Sequence, residues 1–113
     1  MNHNNVVSLP CGAGALTAHQ RVKLTAGLVV AAGADDIFIG HVLQDTVANG
    51  VADVAYKFGS AFHYAQAAGA ISNGAGIGGA AAGQVATGGT EGYALSAASG
   101  AGSIIRVIYA KTA

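Results

Sequence analysis

Apolar residues recur along this chain in short runs with a period of two, each closed off by glycine or a small polar cluster, and helical spacing is nowhere sustained. Arg21-Val22-Lys23-Leu24 alternates polar with apolar and predicts a strand with one solvated face. Residues 28–31 and 37–43 continue the pattern after turns that carry Gly27 and Ala32-Gly33-Ala34-Asp35-Asp36. Residues 52–58 place Val54, Tyr56 and Phe58 on one face and Asp53, Ala55 and Lys57 on the other, and Asn49-Gly50 just before them is a tight-turn signal. Residues 61–65, 84–86, 92–95 and 103–109 complete the strand candidates. Within 72–82 alanine is dense but glycine keeps interrupting, which predicts a loop or short helix. The expected class is mostly β: a small β-barrel or β-sandwich with Gly-rich loops, at most one or two short helices, and an extended N-terminal arm.

The two halves echo each other. Ala26-Gly27-Leu28-Val29-Val30-Ala31 resembles Ala82-Gly83-Gln84-Val85-Ala86-Thr87, and Ile39-Gly40-His41-Val42-Leu43 resembles Glu91-Gly92-Tyr93-Ala94-Leu95. Ala52-Asp53-Val54-Ala55-Tyr56 lines up with Ile104-Ile105-Arg106-Val107-Ile108. Two repeats are too few for a solenoid and suit a small sandwich or barrel in which each half supplies one side of the core.

Composition sharpens this. At 113 residues the chain is long enough for one domain, expected over 16–113 behind an arm at 1–15. Five Lys and Arg balance five Asp and Glu, and charged residues are 9% of the chain, which argues against nucleic acid as a partner, since such binding relies on clustered cations. Hydrophobic residues reach 52%, yet many are alanine, 18 residues are glycine, and the large anchors are three Phe and four Tyr with no Trp. A core built of such small groups favours association with further copies, and low charge does little to oppose it. The start Met1-Asn2-His3-Asn4-Asn5 lacks a basic leader, so synthesis in the cytoplasm is expected. Leu9-Pro10-Cys11-Gly12 has the outline of a lipoprotein processing site, but the proline and the missing leader favour a free thiol, and a lone cysteine forms no disulfide within the chain.

Candidate chemistry is sparse. Gly74-Ala75-Gly76-Ile77-Gly78-Gly79 satisfies G-x-G-x-x-G, but it lacks the preceding buried strand and the acidic residue some 20 positions on that dinucleotide binding requires. No charge lies between Lys57 and Glu91, yet polar residues from Ser60 to Gln84 break any membrane span. His3, His19, His41 and His63 are spread singly, without metal-ligand spacing. Asp35-Asp36 reads as turn solvation rather than acid–base catalysis, and no nucleophile motif is present. The expectation is a protein that is not an enzyme, with no catalytic residue, cofactor, metal or membrane contact.

Read as a whole, residues 26–109 resemble the head-decoration, or capsid cement, proteins of tailed bacteriophages. The resemblance rests on Val22-Lys23-Leu24, Gly27-Leu28-Val29-Val30-Ala31-Ala32-Gly33, Asp36-Ile37-Phe38-Ile39-Gly40-His41-Val42-Leu43 and Gly50-Val51-Ala52-Asp53-Val54-Ala55. In the second half it rests on Ile71-Ser72-Asn73-Gly74, Ala82-Gly83-Gln84-Val85, Gly92-Tyr93-Ala94-Leu95 and Ile104-Ile105-Arg106-Val107-Ile108. Ala75 stands where the family usually carries an acidic residue, and 74–82 is unusually rich in Gly and Ala.

The resemblance implies a virion protein on the outer capsid surface, commonly a homotrimer, that clamps neighbouring major capsid protein subunits against internal DNA pressure. It also implies use of the N-terminal segment, which makes Val6, Val7, Ser8 and Leu9 the candidate capsid-binding residues, with deletion of 1–9 expected to leave the domain folded. Gly76, Ile77 and Gly79 are the candidate subunit contact, because glycine permits close approach. The alternative function is a small β-barrel module for a glycan or peptide, with Tyr56, Phe58, Phe62, His63 and Tyr64 as an aromatic platform.

Overall fold

A computed structural model describes residues 6–59 and 62–110. The first half forms β1 (Val6–Pro10), β2 (Arg21–Thr25), β3 (Leu28–Ala31), β4 (Gly40–Val42) and β5 (Val51–Tyr56). The second forms β6 (His63–Gln66), β7 (Gly76–Gly79), β8 (Val85–Thr87), β9 (Gly92–Ala94) and β10 (Ile104–Tyr109), with one 3-10 turn at Ala81–Gly83. The strands make two five-stranded sheets, β1-β5-β4-β2-β3 and β6-β10-β9-β7-β8, in which every pair is antiparallel. Single parallel bridges, Cys11 to Val29 and Ala67 to Val85, bring the ends of each curled sheet together. One bridge is not a ladder, so neither sheet closes into a barrel.

The second sheet repeats the first strand for strand. Val22 pairs with Gly40 and Ala31 as Ile77 pairs with Gly92 and Thr87. Val42 pairs with Val54 as Ala94 pairs with Val107. The irregular details repeat too: His19 and Gly74 hold φ of 75° and 86°, and their amides donate to the carbonyls of Val42 and Ala94. Two of the sequence echoes match this register, whereas the third is slipped by one residue, since Ala52 corresponds to Ile105 rather than Ile104. A one-residue slip exchanges the two faces of a strand, and in the observed register Ala52 and Val54 face inward as Ile105 and Val107 do.

Each half builds most of a core of its own, in place of the expected shared one. Cys11, Leu16, Val22, Val29, Val42, Ala52 and Val54 pack together in the first half. Ala65, Ala67, Ile71, Ile77, Val85, Ala94, Ile105, Val107 and Tyr109 do so in the second, joined by Ala32 and Phe38 from the first. The reason is curvature: a five-stranded sheet whose ends meet encloses its own inner face and leaves little to share.

The segment expected as an N-terminal arm is extended from Val6 onward, but docked rather than detached. It runs as β1 in register with β5, from Val6 opposite Ala55 to Pro10 opposite Val51. As an end strand it tolerates Pro10, which has no N–H to give. The possible helix in 72–82 is instead β7 followed by the 3-10 turn. Glycine there serves tight strand packing: a Cβ on Gly76 would lie 2.8 Å from the carbonyl oxygen of Gly89, and one on Gly78 3.0 Å from its Cα.

Candidate functional site

The halves meet at a polar cluster that local patterning did not mark. β2 forms where expected, but its burial does not alternate: Arg21, assigned to the solvated face, is buried beside Val22, while Leu24 is exposed. Arg21 donates from Nε to the carbonyl of Gln84 at 2.9 Å and from Nη2 to those of Gly33 and Ala80 at 3.0 and 2.7 Å. Its guanidinium stands 5.0 Å from the ring centre of Phe38, which also receives the Lys57 ammonium at 4.2 Å. Burial pulls the Arg21 pKa down, opposed by the nearby Tyr109, Glu91 and Asp36. No local signal in the sequence distinguishes Arg21 from Lys23, because the second half of the chain covers only the former.

Beside Arg21 the fold collects two of the scattered histidines. His41 and His63 stack with ring centres 5.2 Å apart, and Tyr109 lies 5.5 and 5.6 Å from them. His41 donates from Nδ1 to the His19 carbonyl at 2.8 Å, so Nε2 is the acceptor for the Tyr109 hydroxyl. Burial pushes His41 down to about 3 and holds Tyr109 above the ordinary phenol range. His63, lowered for the same reason, donates from Nε2 to the Lys57 carbonyl at 3.0 Å. Among the described residues no buried side-chain nitrogen or oxygen is left without a hydrogen-bond partner, which is the chemistry of a structural joint.

The cleft beside this joint has a volume of about 340 Å³ and is lined by Arg21, Asp35, Asp36, Phe38, Lys57 and Glu91 among others. Its cations are engaged: Lys57 pairs with Glu91 at 2.8 Å, and Nε and Nη2 of Arg21 donate to three carbonyls. Asp36 accepts from Lys23 at 2.7 Å and from the Gly33 amide at 2.6 Å, and these bonds lower its pKa. Among the described residues no group of three or more His, Cys, Asp and Glu is placed to hold a metal ion, and no helix is long and apolar enough to cross a membrane.

The residues singled out from sequence fall in different places. Val6 and Val7 are exposed on β1, Leu9 packs against the first core, and the Ser8 hydroxyl donates to Asp53 at 2.6 Å. Ile77 is wholly enclosed by its own chain, and a Cβ on Gly79 would lie 2.8 Å from Arg21 Nη2, so close approach at these positions is to the rest of the same molecule. Of the aromatic set, Tyr56 packs on Phe58 and Phe62 on Tyr64, all four exposed, while His63 points inward. The face predicted to run through Val54, Tyr56 and Phe58 is therefore interrupted: Val54 is core, and the aromatic end of β5 is exposed. A second cleft at Phe62, His63 and Tyr64 holds about 160 Å³, below the range of pockets for drug-sized ligands.

The outer face of the second sheet is apolar. Tyr64, Tyr93, Leu95, Ile104 and Ile108 are exposed there, with Arg106 as its cation, 5.9 Å from the Phe62 ring. Tyr93 lies directly across from Ile108, and Tyr64 from Arg106. Cross-strand neighbours on one face make a continuous patch of the kind that marks interaction surfaces.

No protein-family profile and no curated protein matches the chain. Among solved structures it is similar to the crystal structure of the head fiber gp8.5 N base in bacteriophage phi29, with a TM-score of 0.78, 16% sequence identity, and coverage of 93% of this chain and 94% of that one. At that identity the likeness is one of fold.

Proposed function

We propose that this chain is a structural protein of a phage head, acting by binding rather than catalysis and without a cofactor. The single observation that carries the proposal is the match of nearly the whole chain to the base of a phage head fiber. The finer reading is a cement protein synthesised in the host cytoplasm, placed on the outer capsid surface of the virion, associated as a homotrimer and bridging neighbouring major capsid subunits. Support comes from the exposed apolar face of the second sheet and from Val6 and Val7 on an end strand, which present contact area with little charge to desolvate. Many copies, each touching several capsid subunits, would reinforce a shell without strong single contacts.

The test is to mix purified protein with expanded empty capsids and measure occupancy and the temperature at which shells disrupt. Stoichiometric occupancy with a raised disruption temperature is expected; absence of binding to expanded shells overturns the proposal. The exposed pairs Tyr56–Phe58 and Phe62–Tyr64 favour a second reading, a glycan or peptide module, so a glycan array run in parallel distinguishes the two.

A further inference from the structure

The joint between the halves uses one surface from each, and duplication leaves each half with its own version of the surface used by the other. The first half contributes the outer side of its sheet: Arg21, His41 and Ala55, exposed by 1%, 1% and 5%. The second contributes a sheet end: His63 and Tyr109, exposed by 5% and 8%, with the 3-10 turn, where the carbonyls of Ala82 and of Ala80 just before it accept from Gln20 and Arg21.

The strand register assigns the counterparts. Arg21, His41 and Ala55 correspond to Gly76, Tyr93 and Ile108, since Arg21 pairs with His41 and His41 with Ala55 as Gly76 pairs with Tyr93 and Tyr93 with Ile108. His63 and Tyr109 correspond to Val7 and Tyr56 by the same ladders. The turn at Ala82-Gly83, with φ of 57° and 73°, corresponds to Ala26-Gly27, with 52° and 82°. All the large counterparts are exposed: Tyr93 by 41%, Ile108 by 36%, Val7 by 43% and Tyr56 by 52%. Leu24 and Leu28, beside the Ala26-Gly27 turn, are exposed as well.

We propose that a second copy of this chain covers these surfaces, head to tail: the Tyr56 end of one molecule docks on the Tyr93–Ile108 face of the next, as Tyr109 docks on His41 within one molecule. Three observations favour a copy over another occupant. The face and the end are each a variant of a surface already joined in this fold. The counterpart residues are apolar or aromatic and uncharged, so joining them buries apolar surface, with Arg106 as the charged neighbour on the face. Large and small partners are exchanged across the joint: Gly79, which Arg21 overhangs, has Leu24 as its counterpart, and the residue in the place of Arg21 is Gly76. Head-to-tail contacts close into a ring where the rotation permits, and three chains would make a ring of six repeats. The inference takes self-association from the preceding reading and does not depend on capsid attachment.

Two exposed substitutions test it, Ile108→Arg on the face and Tyr56→Arg on the end, with circular dichroism and the unfolding midpoint confirming that each variant folds. Sedimentation at high micromolar concentration should show the wild type as an oligomer and each variant alone as a single chain. An equimolar mixture should form a two-chain species and nothing larger, because one intact face and one intact end remain between the two variants. A wild type that stays a single chain overturns both this inference and self-association. If the wild type assembles but either variant assembles equally well, or the mixture stays single-chain, this interface is overturned while self-association through another surface stands.

Discussion

His41 and Tyr109 illustrate how polar side chains that carry no local signature in the sequence become part of the interior. His41 stays neutral in the fold down to about pH 3, whereas in the unfolded chain it takes up a proton near pH 6.5. The unfolded state therefore binds more protons as pH falls from 6.5 toward 3, and stability, complete above that window, is lost within it. Burial of His63 acts in the same direction. Unfolding free energies from urea titrations between pH 7.5 and 4.5 should fall by up to about 1.4 kcal/mol per pH unit on account of His41, and His41→Leu should flatten that slope whatever its effect at pH 7.5. Tyr109→Phe removes the donor to His41 Nε2 and leaves that atom unmatched in the interior. The expected cost is about 1–3 kcal/mol in denaturant unfolding, larger than truncation of an exposed hydroxyl would give.

At the scale of elements, the turns and close strand pairs carry the positional constraints. Ala26 holds φ of 52° before Gly27, a conformation that costs an alanine about 1–2 kcal/mol relative to its preferred regions. Asn is better tolerated there, as Asn49 already shows at φ of 62°, so Ala26→Asn should stabilise the protein by about 0.5–1 kcal/mol, read as a rise in urea midpoint at unchanged slope. Gly40 and Gly92 occupy equivalent places in β4 and β9, and a Cβ on either would overlap the carbonyl oxygen of the neighbouring strand, at Ala55 and Ile108. Gly92→Ala should cost about 3 kcal/mol or more, because strand backbones rather than flexible side chains must move apart; a loss below about 1 kcal/mol would contradict this packing.

For the whole molecule, the two halves are coupled by bonds that cross between them, Arg21 to Ala80 and Gln84 and His41 to Tyr109, so they should unfold in one transition. The N-terminal segment belongs to that unit. Deleting residues 1–9 removes nearly all of β1, strips β5 of a ladder and uncovers Ala52 and Val54 beside Leu9. A fall in the thermal midpoint is expected, in place of the near-neutral effect that a detached arm would give. Capsid-binding assays are therefore better made with a point substitution at the exposed Val6 than by truncation, since Val7 belongs to the surface assigned to the next copy.

The positions of most strands were legible in the chain, because period-two alternation and glycine turns are local properties. Arg21-Val22-Lys23-Leu24, residues 28–31 and residues 103–109 all lie in or across observed strands. The duplication was legible for the same reason, since Ala26-Gly27 and Ala82-Gly83 repeat a turn that only certain residues accept. β7 was not, because Gly76-Ile77-Gly78-Gly79 has almost no side chains to alternate, and its extended form is set by the β8 and β9 backbones on either side and by Gly89 packed against it. Nor was the joint: Arg21, His41 and Tyr109 come from strands far apart in sequence. Their burial depends on one half covering the other, and His41 and Tyr93, at equivalent places in equivalent strands, have opposite exposure for that reason alone.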